Sequence, residues 1–258
     1  MKKHILFCFL LLILNLFVQS QISVGVTGGT NYSTISLKSE IFTNYPFPSR
    51  DSMNGQRDGD FAPMLSAFGG LVIEIKITNA FSIKSNLLFI SKGWKEKVYQ
   101  FRYSSNFNPY IRALDSLETK EVYRLNYFEL PLHFTFSAPI KKTELLIGVG
   151  PYVAYAISGN YTSKIINDNS YTYNTIVDSV SFINFRKEAS SNSNYKGNHI
   201  DYGASITLGL KFRTGFYFES GYKMGLKDVI LNRFYSTSNR NKVGYFAVGY
   251  YLFQSKKS

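Results

Sequence analysis

Along much of this chain large apolar side chains fall at every second position. Phe128, Leu130, Leu132, Phe134 and Phe136 alternate with Glu129, Pro131, His133 and Thr135. After a connector, Ala138–Lys142, the pattern resumes. Leu145, Ile147, Val149, Pro151, Val153, Tyr155 and Ile157 take one side, and Glu144, Leu146, Gly148, Gly150, Tyr152, Ala154 and Ala156 take the other. A period of two over this length predicts strands, not helices. About ten such residues, tilted, are enough to cross the hydrocarbon core of a membrane.

Six further segments carry the same alternation, so eight strands are predicted. The first is about 22–32, with Ile22, Val24 and Val26 opposite Ser23, Gly25, Thr27, Gly29 and Asn31. The second, about 64–77, sets Leu65, Ala67, Leu71, Ile73, Ile75 and Ile77 against Ser66, Gly70, Glu74 and Lys76. The third, about 81–92, sets Phe81, Ile83, Leu87 and Phe89 against Ser82, Lys84, Asn86 and Lys92. The hairpin Val122–Ile157 supplies the fourth and fifth. The sixth, about 200–212, alternates throughout, with Asp201, Gly203, Ser205, Thr207, Gly209 and Lys211 on its polar side. The seventh, about 216–226, places Glu219, Gly221 and Lys223 opposite Phe216, Phe218, Tyr222, Met224 and Leu226. In the eighth, about 243–253, both sides are apolar; small Ala247 and Gly249 favour the inside, which turns Phe246, Val248, Tyr250 and Leu252 outward.

The connections alternate in length. Thr78–Ala80, Ala138–Lys142 and Arg213–Gly215 are short, whereas Thr34–Pro63, Gly93–Glu121, Ser158–His199 and Lys227–Lys242 are long and polar. Short periplasmic turns and long outer loops are the habit of outer-membrane barrels. The expected fold is therefore all-β: a single eight-stranded antiparallel up-and-down transmembrane β-barrel with short periplasmic turns and four long extracellular loops. Residues 21–253 form the barrel and 254–258 a short basic tail.

The first twenty residues read as a cleaved signal peptide. Lys2 and Lys3 precede an apolar run from Ile5 to Val18, and Val18-Gln19-Ser20 suits cleavage. The run is too short for a spanning helix, and no later run is long enough. Cys8, the only cysteine, would leave with the leader, so disulfides cannot hold the mature chain. The formal net charge of +12 falls by two with the leader, and export argues against nucleic acid as the partner of so basic a chain. The abundance of Tyr (20) and Phe (22) fits strands whose aromatic rings face lipid and its interface, so the cell outer membrane is the expected location and its lipids the expected surroundings.

Eight strands enclose room for side chains and not for a wide channel. Glu74, Lys84, Glu129, His133, Lys211, Glu219 and Lys223 on the polar side therefore predict a packed, mutually paired lumen network, because an unpaired buried charge is costly. Pro131 and Pro151 fall within strands of a sheet that has no edge, which predicts a bulge or gap in the ladder there.

Several of these segments resemble the PorT-like outer-membrane β-barrel family. They are Tyr127-Phe128-Glu129-Leu130-Pro131-Leu132, Gly148-Val149-Gly150-Pro151-Tyr152-Val153-Ala154-Tyr155 and the glycine-rich start Gly25–Ser33. Asp201-Tyr202-Gly203, Gly221–Leu226 and Gly249–Phe253 fit as well. The resemblance implies an eight-stranded outer-membrane barrel without a catalytic motif to transfer, and an association of the family's namesake with protein secretion.

Candidate chemistry is sparse. His199 and Asp201, two apart on a strand, share a side at the outer rim, but no further group completes a catalytic set. No close His pair and no mature cysteine suggest a transition metal, and Asp51, Asp58 and Asp60 lack the spacing of a calcium loop. The glycines from Gly25 to Gly29 precede no helix and read as close packing, not a phosphate cradle. Asn31-Tyr32-Ser33 and Asn160-Tyr161-Thr162 match a glycosylation pattern of little meaning in such a cell, and Ser190–Asn194 reads as a polar loop tip. No cofactor is expected. At the short-turn end Lys76, Lys141, Lys142 and Arg213, with Lys211, Lys256 and Lys257, are opposed by Glu144; the expectation is either a basic collar for lipid headgroups or an acidic periplasmic partner, or a solvated polar rim. The expected function is non-enzymatic: surface recognition, adhesion or membrane stabilisation through the loops. Accessory work in secretion or envelope assembly is the alternative, and an outer-rim enzyme the second.

Overall fold

The computed structural model describes residues 21–36, 59–103, 114–166, 175–179, 181–183, 196–229 and 239–255. Eight long strands dominate: β1 Gln21–Ser36, β2 Gly59–Lys76, β3 Phe81–Tyr103, β4 Leu114–Ile140, β5 Thr143–Ile166, β6 Ile200–Phe212, β7 Phe216–Asp228 and β8 Arg240–Gln254. Each pairs antiparallel with its sequence neighbour, and β1 pairs with β8, so the sheet closes on itself. Within the closed ring no edge is left open, the property that lets a sheet persist where water cannot satisfy its backbone.

The alternation sorts side chains as the hydropathy pattern requires. Phe128, Leu130, Leu132, Phe134 and Phe136 point outward, and Glu129, Pro131, His133 and Thr135 are buried. On the ambiguous β8, Phe246, Val248 and Leu252 face out while Tyr245, Ala247, Gly249 and Tyr251 face in. Gly249 is required there, because a Cβ would collide with the inward ring of Tyr217. Gly25 and Gly29 have a different cause from the lumen packing expected: a Cβ at either would meet the backbone of β8.

The expected five-residue connector between β4 and β5 is shorter. Pairing continues to Ile140↔Thr143, leaving a two-residue turn, Lys141-Lys142, with Lys141 at φ 55°. The long connections also shrink, because several strands continue well past the apolar band. β3 and β4 remain paired from Phe81↔Phe136 to Tyr103↔Leu114. β5 runs on to Ile166, where Thr175–Ser179 takes the place of β6 as its neighbour. Sheet beyond an apolar band has a polar outer side, so its residues carry the composition of a loop.

The prolines do interrupt the ladder, without a bulge. Between β3 and β4 the pairing skips from Ser85↔Leu132 to Leu88↔Glu129, past Pro131. Between β4 and β5 it skips from Pro131↔Tyr152 to Phe134↔Val149, past Pro151, although Pro151 keeps its register with Ala204 on β6. Register is the same on both sides of each gap, so hydrogen bonds are lost and no residue is inserted. The register shift in this hairpin lies farther out, between Asn126 and Tyr127.

Candidate functional site: a charged lumen and a basic outer rim

Inside the barrel, charge is arranged in layers that tie distant strands together. Nearest the short turns, Glu74 on β2 accepts hydrogen bonds from Lys211 Nζ on β6 (2.7 Å) and Ser82 Oγ (2.9 Å). Above it, Lys84 Nζ on β3 reaches Glu219 on β7 at 2.6 Å, and Tyr245 donates to the same carboxylate at 3.0 Å. The third layer centres on Glu129 of β4, which pairs with Lys223 of β7 and, at 2.7 Å, with Lys92 of β3. Lys92 continues to Asp201 of β6 at 2.9 Å, and Asn241 and Tyr152 donate to that carboxylate. His133 stands between layers with Nε2 2.7 Å from Ser205 Oγ.

Every one of these four lysines also lies over a tyrosine face. Lys211 covers Tyr251 (4.3 Å), Lys84 covers Tyr217 (4.0 Å), Lys223 covers Tyr245 (4.6 Å), and Lys92 lies near both Tyr127 and Tyr152. A desolvated ammonium gains from a ring face as well as from a carboxylate. The repeated unit is thus carboxylate, ammonium, ring. Four lysines against Glu74, Glu129, Asp201 and Glu219 leave the described network formally neutral.

All seven residues expected in the lumen are buried there. Two of the partners lay outside the expected set, Lys92 and Asp201. Both stood on the polar side of their strands, which was the available signal, and adding them keeps lysines and acids equal in number. His199 and Asp201 do not share a side as strand phase implies. A bend at His199 turns its ring onto outward-facing Tyr155 (5.2 Å, 14°), with Nδ1 3.2 Å from the Ala156 carbonyl, while Asp201 faces the lumen. The Ser205–His133 contact resembles half of a nucleophilic set, but Ser205 also donates to the Gly150 carbonyl and both side chains are buried. Among the described residues no cluster of His, Cys, Asp and Glu could hold a metal ion. Asp51, Asp58 and Ser190–Asn194 lie outside the described residues, and Asp60 stands opposite Lys97 in the β2–β3 register.

At the short-turn end Lys141, Lys142 and Arg213 are exposed. Lys76 bridges to Glu144 at 3.2 Å and Lys211 is turned into the lumen, so among the described residues the collar is smaller than its composition implied; Lys256 and Lys257 lie outside them. At the opposite end, beyond Phe89, Phe128 and Ile157, the described outer side of β3, β4 and β5 changes to polar. Ser91, Asn126 and Ser158 join across three strands at 2.5 and 2.9 Å, and Lys95, Lys97, Lys120, Arg124 and Lys164 follow, all exposed.

The sequence profile of the outer membrane protein beta-barrel domain matches residues 17–231. The chain belongs to that family. As an outer membrane protein beta-barrel domain it lies in the outer membrane, with the outward apolar band against lipid. Solved structures similar to this chain include Ail, the attachment invasion locus protein of Yersinia pestis. It shows 8% identity over 90% of this chain and 98% of that one, at a TM-score of 0.32. Neisserial surface protein A follows at 6% identity, 90% and 99% coverage and 0.32. OprG from Pseudomonas aeruginosa shows 11%, 90% and 94%, and 0.31. No curated protein matches the chain in sequence.

Proposed function

We propose that this barrel is a non-enzymatic surface protein with a filled lumen, acting through its outer strands and loops in recognition, adhesion or membrane stabilisation. One observation carries the reading: the lumen is crossed at three levels by ion pairs backed by tyrosines. A side-chain plug of that kind stabilises the barrel and leaves the outer surface for function. Shortening the outer connections one at a time in cells, with barrel yield held constant, tests it. Loss of attachment to defined matrices or of detergent resistance is expected for at least one connection. Unchanged behaviour for all four would overturn it.

A second reading, accessory work in secretion or envelope assembly, draws on the likeness of Tyr127–Leu132 and Gly148–Tyr155 to the PorT-like family. The exposed Lys141, Lys142 and Arg213 on the periplasmic turns favour it as a docking surface for an acidic partner. Neutralising these three should then impair secretion or assembly while attachment is kept; the first reading expects neither to change.

A further inference from the structure

The extended β3–β4–β5 sheet sorts charge by side. Along β3, Lys95 and Lys97 point outward while Glu96 between them is buried; along β4, Lys120 and Arg124 point outward while Glu121 is buried. At these described positions the acids go in and the bases go out, on the side continuous with the lipid-facing band.

Register makes three of these bases a cluster. Lys95 stands opposite Val122, so Lys120 and Arg124, two residues either way, are its diagonal neighbours. Diagonal neighbours in an antiparallel pair lie about 7–8 Å apart, close enough for long side chains to share one anion. Directly opposite Lys95 on β2 is Ala62, with Asp60 diagonal to it, and directly opposite Arg124 are Gly93 and Asn160. In register, Lys120 lies directly between Lys97 of β3 and Lys164 of β5, and Lys97 stands opposite Asp60 of β2.

The inner end of the cluster, Arg124, also sits at a telling height. Arg124 is four residues beyond Phe128 on β4. At about 3.4 Å per residue and a tilt of about 40°, this is roughly 10 Å above the last described outward aromatic of that strand, and Lys120 stands roughly 10 Å higher still. The headgroup layer adds roughly 5–8 Å to each side of the hydrocarbon core. Long basic side chains reach back towards it with their stems along the sheet.

We infer that Lys95, Lys120 and Arg124 form an outward-facing site for the phosphate groups of the phosphorylated glycolipid in the outer leaflet. This rests on the outer-membrane placement alone and is independent of what the loops recognise. Arg supplies a forked donor and the lysines supply mobile point charges, a combination suited to phosphate esters.

Native mass spectrometry of the purified full chain, given equal amounts of phosphorylated lipid A and its dephosphorylated form, tests the site. The wild type should retain the phosphorylated lipid at least about tenfold better. Each charge removed should cost about fivefold, the equivalent of about 1 kcal/mol per basic residue near an anionic surface, so K95Q/K120Q/R124Q should abolish the preference. K95R/K120R/R124K should keep it, as should K141Q/K142Q/R213Q at the other end. If the triple neutral variant fails to insert, K95Q and R124Q singly carry the test, each with a fivefold loss. No preference in the wild type, an unchanged preference in the neutral variants, equal loss from K141Q/K142Q/R213Q, or displacement of the lipid by excess inorganic phosphate would each overturn the assignment.

Discussion

Lys92 is the position at which the lumen network is most exposed to test. Its side chain is 0% exposed and serves two carboxylates, Glu129 at 2.7 Å and Asp201 at 2.9 Å. In Lys92→Met, Glu129 keeps Lys223 and Asp201 keeps the Asn241 amide and the Tyr152 hydroxyl, but the described network becomes net negative. A unit charge pair about 4 Å apart at an effective dielectric of about 20 interacts by about 4 kcal/mol. Desolvation of the ammonium offsets much of the sum from two partners, and breaking buried pairs typically costs about 3–5 kcal/mol. That is the expected loss. Lys92→Met combined with Asp201→Asn removes one charge of each sign and leaves three matched pairs. The double variant should recover stability relative to the sum of the singles, with a coupling of about 2–3 kcal/mol. Urea unfolding in lipid vesicles can be followed by the emission of Trp94, the only tryptophan, which is buried and stacked on Tyr123 at 4.5 Å. A single-variant loss below about 1 kcal/mol, or strict additivity of the two substitutions, would refute the account of the network.

Three smaller perturbations test the rest of the fold. Leu132 is 40% exposed in the middle of the outward row Phe128–Phe136, so Leu132→Arg should cost about 2–4 kcal/mol in the same assay; a smaller loss would remove this row from the bilayer centre. Gly150 faces the ladder gap where a Cβ would strike the Leu132 carbonyl, so Gly150→Ala should cost about 1–3 kcal/mol, and neutrality would mean that the close approach is absent. Pro131→Ala should change stability by less than about 1 kcal/mol, because the β3–β4 ladder already skips that residue; a loss above about 2 kcal/mol would show the proline to be structurally required.

Much of this was legible in the chain itself, and the misses have a common cause. Alternation identified all eight strands because lipid demands a continuous apolar side, as at Leu145–Ile157. The same demand hid the strand extensions. Outside the lipid, Lys95-Glu96-Lys97 alternates base out and acid in, a pattern that hydropathy alone cannot separate from a polar loop. The lumen residues were readable one strand at a time, but their pairings were not. Lys92 and Asp201 are 109 residues apart, and their meeting depends on how the two intervening strands, β4 and β5, stagger around the barrel. His199 failed for a local reason: strand phase places it with Asp201, but the strand begins only at Ile200, and one bend frees the ring to stack outside on Tyr155.

The claim on which the functional reading depends is that ion pairs and tyrosines fill the lumen. Single-channel recording of the purified full chain in planar lipid bilayers tests it directly. The account predicts a flat baseline at moderate voltage, with conductance steps emerging only in variants that empty a layer, such as Lys84→Ala with Glu219→Ala. Regular, long-lived steps from the wild-type barrel would contradict it.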